Sequence, residues 1–179
     1  AELAVPEAMS AARVRETVDA YVAAAARAQR AGFDMVELHG AHGYLISQFL
    51  SPLENTRSDA YGGSLENRAR FGLEILRRIK SEVPGLPVIF RIGVEDFFPG
   101  GLTADEGMQV GRWAERDGAD AVSVTAGHYR SLPAADPDLG VLAATARRPG
   151  HGAAAVHTPL APRGLARTPP GAGGAAPDL

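Results

Sequence analysis

Three short runs rich in Val and Ile alternate with longer segments whose apolar residues recur at helical spacing. The runs are MVELH at 35–39, PVIFRIG at 87–93 and DAVSVTAG at 120–127. Each is too short for a buried helix and has the β-branched content of a strand. Strands that alternate with helices cannot pair as hairpins. They require crossover connections and hence a parallel sheet in an α/β fold.

The intervening segments carry start and stop signals for helices. Ser10 can cap a helix in which Val14, Val18, Tyr21, Val22 and Ala25 share a face, with Gly32 as its stop. Ser64 can cap a second helix with Phe71, Ile75 and Ile79 on one side. Thr103 with Glu106 forms a capping box for a third, which should end near Asp117, before Gly118. A loop of about 24 residues, rich in Gly, Ser, Asn and Asp, should separate the first strand from the second helix. A doubly wound sheet or part of a (β/α)8 barrel fits this order. A whole barrel needs roughly 250 residues, so with three strands the chain would hold a piece of one.

Residues 141–179 break the pattern. Of these 39 residues, 27 are Ala, Gly, Pro or Arg, and Ile, Phe, Tyr and Trp are absent. Such a segment buries too little apolar area to offset its chain entropy. The division is therefore a folded part at 1–140 and a tail at 141–179. The tail should be disordered, either as a natural Ala/Pro-rich linker or as the product of a shifted reading frame, since its dominant residues have GC-rich codons.

Composition removes several classes of function. Without cysteine there is no thiolate catalysis, disulfide or cysteine-ligated metal or cluster. A net charge of −3 offers no field for nucleic acid or an anionic membrane. No apolar run approaches the roughly 18 residues of a membrane span, and no leader-like segment opens the chain. The expectation is a soluble cytoplasmic protein that binds neither nucleic acid nor membrane.

Chemistry concentrates in HGAHGY, directly after the first strand. In parallel α/β folds the C-terminal strand ends carry the site. His39 and His42, so placed, can both donate to one carbonyl or phenolate oxygen, and Tyr44 can supply a proton beside it. Alternatively, the pair satisfies a turn, or forms half of a metal site in a metal-dependent α/β enzyme. Arg91 is the second anomaly, because a guanidinium in the apolar run VIFRIG is costly unless it meets an anion or polar ligand. It shares a face with Ile89 and Gly93. An edge position facing water is the other reading. In NTRSDAYGGSLENR, at 55–68, Arg57, Asp59, Glu66 and Arg68 are read as ion pairs that tie down a loop.

These residues carry a resemblance. GFDMVELHGAHGYLISQFLSPLENTRSDAYGGSLENRARF, at 32–71, closely resembles the Old Yellow Enzyme family, the NADH:flavin oxidoreductases. VIFRIGVEDFFPGGLT and GADAVSVTAG are similar to the strands that follow in that family, nearer its bacterial ene-reductase and 2,4-dienoyl-CoA-reductase-like branches. The resemblance covers about residues 5 to 130. It implies a partial (β/α)8 barrel, about strands four to six, from an enzyme that binds FMN and takes its electrons from NAD(P)H. The flavin then passes hydride from N5 to the β-carbon of an activated alkene. It further implies that His39 and His42 hold the substrate carbonyl, that Tyr44 protonates the α-carbon, and that Arg91 lies beside flavin N1 and O2. The implied substrate is a small α,β-unsaturated carbonyl compound or enoyl thioester. The outer strand edges of such a fragment should favour self-association. The competing expectation is a barrel remnant without catalysis.

Overall fold

The computed structural model describes residues 7–128 and the short strand at 154–156. Helix α1 spans Ala11–Arg30, β1 Val36–Gly40, α2 Leu45–Leu50, α3 Leu65–Glu82, β2 Val88–Gly93, α4 Ala104–Arg116, β3 Ala121–Thr125 and β4 Ala154–Val156. The strands form one sheet in the order β1-β2-β3-β4, every pair parallel. Strand order equals chain order, with no reversal. A doubly wound sheet has a switch point where its order reverses, whereas a barrel runs on sequentially. The sheet is therefore an arc of a (β/α)8 barrel.

The three expected helix caps are formed. Ser10 Oγ accepts from Arg13 N, and Ser64 Oγ from Asn67 N. Thr103 and Glu106 make the reciprocal capping box. Gly32 takes φ 85° just past α1, a conformation that favours glycine.

The helices cover one face of the sheet. Leu38, Val88, Phe90, Ile92 and Val124 point into a core shared with Val14 and Val18 of α1, Phe71, Ile75 and Ile79 of α3, and Val110 and Ala114 of α4. Gly107 lets α4 press onto the end of β2, because a Cβ there would lie 2.3 Å from the Val94 carbonyl oxygen. The opposite face carries Glu37, His39, Ile89, Arg91 and Ser123, which alternation places together. In a barrel this is the inner face.

The segment after β1 differs from expectation. It contains the six-residue helix α2, whose Ile46, Phe49 and Leu50 are buried. The rest is tied down as the sequence suggested. Arg57 pairs with Asp59 at 2.5 Å, and Arg68 with Glu106 at 2.5 Å. Asn55 Nδ2 donates to the carbonyls of Phe49 and Tyr61. Glu66 instead lies in the first turn of α3, where a negative charge suits the helix dipole. Apart from β4, the segment 141–179 lies outside the described residues, and with it the expectation of disorder or a shifted frame. Among the described residues no helix is long and apolar enough to cross a membrane.

Candidate active site

Strand β1 delivers His39 to the C-terminal edge of the sheet, and the chain then turns sharply. His42 has φ 62° and Gly43 φ 79°. A non-glycine residue in the left-handed region costs roughly 1 kcal/mol or more and persists only where its surroundings hold it. Here they do. Ser47 Oγ accepts from Gly43 N at 3.1 Å, and Gln48 Nε2 donates to Gly43 O at 2.8 Å. The backbone of His42 also bridges to His128, which extends the β-pairing beyond β3. Helix α2 thus clamps the turn that carries the histidines.

The three candidate side chains come together. The rings of His39 and His42 lie 5.4 Å apart, and Tyr44 stands 5.1 Å from His39. Tyr44 is 62 % exposed, with its ring open to solvent. The two imidazoles are partly buried, and both pKa values are lowered. His42 falls from 6.5 to about 4, first because burial disfavours its cation, then because the charge of Arg91 repels it. Burial and Arg91 act likewise on His39, partly opposed by Glu37. Both rings are neutral at pH 7. Each then offers one N–H and one lone pair.

Arg91 sits in register with His39 on one side and Ser123 on the other. The row His39–Arg91–Ser123 therefore crosses three strands on the inner face. The Arg91 guanidinium lies 3.8 Å from Glu37, a loose ion pair. Among the described residues its Nε is buried without a hydrogen-bond partner, as is Ser123 Oγ. Buried polar atoms normally have partners, so two adjacent orphans on one face call for a ligand. Gly40 permits the close approach of β1, since a Cβ there would be 2.7 Å from the Arg91 carbonyl oxygen.

Further polar residues beside this cluster were not singled out in the sequence. Thr125, fully buried at the end of β3, lies 3.0 Å from His42 Nε2 through its hydroxyl. Buried His128 Nε2 is 3.2 Å from Oε1 of the half-buried Glu54. Asp96 accepts from Ser51 Oγ at 2.6 Å and from Leu102 N at 2.8 Å, which joins the loops after β1 and β2. Ser123 and Thr125 alternate with Val122 and Val124, and that alternation was the available signal for a polar inner face. Among the described residues no group of three metal-ligating side chains accompanies the histidines.

Residues 1–135 match the sequence profile of the NADH:flavin oxidoreductase / NADH oxidase family. An NADPH dehydrogenase of Bacillus cytotoxicus is 45 % identical over 126 residues, which is 70 % of this chain and 36 % of the relative. Among solved structures, a complex of 2-naphthoyl-CoA reductase with 2-naphthoyl-CoA superposes with a TM-score of 0.77 at 32 % identity. The match covers 84 % of this chain and 24 % of that one. An old yellow enzyme homologue from Zymomonas mobilis superposes at 0.63 with 25 % identity, over 69 % of this chain and 36 % of its own. The chain thus spans about a third or less of the length of these proteins.

Proposed function

Because the chain belongs to the NADH:flavin oxidoreductase / NADH oxidase family, we propose that it carries part of the active site of an FMN-dependent, NAD(P)H-consuming enzyme that reduces activated alkenes. The observation that carries this reading is the shared row of His39, Arg91 and Ser123, with His42 and Tyr44 gathered at its end.

The residues fit a flavin. Among the described residues Arg91 Nε and Ser123 Oγ are buried polar atoms in want of partners, and the edge of an isoalloxazine ring supplies acceptors for both. When bound, FMN supplies the hydride, which it takes from NAD(P)H. Arg91 contributes a fixed positive charge on that face, which favours a ligand with negative charge there.

His39 and His42 are neutral donors. Together they can hold one carbonyl oxygen through two N–H groups and draw electron density from the conjugated double bond. Neutrality matters, because an imidazolium pair would repel Arg91 and itself. Tyr44 is the proton donor to the α-carbon in this reading, supported by its ring lying 5.1 Å from that of His39. The substrate is an enone or an enoyl thioester. The thioester ligand of the 2-naphthoyl-CoA reductase structure supports the second form.

The test is NAD(P)H consumption by the FMN-loaded protein with 2-cyclohexen-1-one and, separately, with cyclohexanone. Turnover with the enone alone supports the reading. Consumption indifferent to the double bond would refute alkene reduction.

A further inference from the structure

Thr125 closes β3 with its side chain aimed at the histidine cluster. It is fully buried, and among the described residues its hydroxyl makes one hydrogen bond, to His42 Nε2 at 3.0 Å. A hydroxyl carries one hydrogen to donate, and a neutral imidazole carries one N–H and one lone pair. Two arrangements are therefore conceivable. If His42 bears its hydrogen on Nε2, it donates to Thr125 Oγ1, and the Thr125 hydrogen is left buried without an acceptor among the described residues. If His42 bears it on Nδ1, Thr125 donates to the Nε2 lone pair and every hydrogen of the pair is used. Unsatisfied buried donors are rare because they are costly.

The second arrangement also has a chemical consequence. A carbonyl oxygen is an acceptor, so the ring nitrogen not held by Thr125 must carry the hydrogen if His42 is to polarise it. The other tautomer would set a lone pair against a lone pair. We propose that Thr125 is a positioning residue that fixes His42 as the Nδ1–H tautomer, and so makes it a donor toward the substrate oxygen. This deepens the reading of His42 as a carbonyl-polarising group and rests on it. Thr125 acts only through His42. The low basicity of His42 keeps the ring neutral, the state in which a choice of tautomer exists.

The experiment is long-range 1H–15N correlation NMR of the full chain labelled with 15N-histidine, at pH 7. Protonated and unprotonated ring nitrogens have well-separated shifts. His42 should show a protonated Nδ1 and a bare Nε2. Thr125→Val should move the population toward Nε2–H, and Thr125→Ser, which keeps the hydroxyl, should restore the native pattern. In the FMN-loaded protein, Thr125→Val should raise KM for 2-cyclohexen-1-one about tenfold, the scale of one modest hydrogen bond. A native His42 protonated on Nε2, or a tautomer indifferent to Thr125→Val, would overturn the proposal. If the valine variant fails to fold, Thr125→Ala carries the same comparison, and a native His42 protonated on Nε2 overturns the proposal without any variant. The expected tautomer in a protein that cannot reduce the enone would retire the carbonyl role and leave the hold of Thr125 on His42 standing.

Discussion

At the scale of single residues, the site is an arrangement of neutral donors beside one fixed cation. His42 refuses a proton down to about pH 4, whereas in the unfolded chain it titrates near 6.5. The unfolded state therefore binds more protons between these values. The stability that neutral His42 contributes is fully present above 6.5 and is lost as pH falls toward 4. Urea midpoints measured from pH 7 to pH 4 should drop more for the native protein than for His42→Asn, which has nothing to titrate; parallel profiles would contradict the burial argument. Tyr44 gives a second prediction. Its ring lies 5.1 Å from that of His39 and its hydroxyl is the proposed acid, so Tyr44→Phe should slow alkene reduction by roughly 10²-fold or more while sparing flavin reduction by NAD(P)H. Stopped-flow traces of the two half-reactions check this, and equal slowing would remove Tyr44 from the proton path. The histidines, Tyr44 and Arg91 were legible in the sequence because each is chemically out of place in its run. Thr125 and Ser123 were not. A threonine or serine in a strand is ordinary, and its role depends on a distant neighbour: Ser123 pairs in register with Arg91, and Thr125 meets His42, 83 positions away.

At the scale of elements, the caps and the apolar stripes were legible because both are local. Helix α2 was not. Six residues make too few internal hydrogen bonds to hold a helix by propensity. It exists because Ile46, Phe49 and Leu50 bury against the rest of the core, and it serves the site by clamping Gly43. A tight joint lies elsewhere, where α4 meets the end of β2. Glycine inside a helix usually costs about 1 kcal/mol relative to alanine, so Gly→Ala commonly stabilises. At Gly107 the sign should reverse, since the added methyl would collide with backbone atoms of Val94. Gly107→Ala is expected to lower stability by about 1–3 kcal/mol in urea denaturation. A gain would show that α4 can shift outward without penalty.

At the scale of the whole molecule, the sheet is two-faced. One face packs on α1, α3 and α4, and the other holds polar residues in rows. Parallel α/β architecture could be read from the alternation of elements. The alternation alone left a barrel arc and a doubly wound sheet open, because that choice depends on strand order and on which faces helices cover. Both features are set by packing. The family resemblance of residues 32–71 pointed to the barrel. The row His39–Arg91–Ser123 follows from that order, for only sequential pairing brings these strands side by side. The central claim is that this face takes a flavin. Its most direct test is an FMN titration of the purified chain, followed by flavin fluorescence, with the native protein and Arg91→Ala in parallel. Saturable quenching at micromolar FMN, weakened at least tenfold by Arg91→Ala with the far-UV circular dichroism unchanged, is the predicted result. FMN that stays free, or that binds both proteins alike, would contradict it.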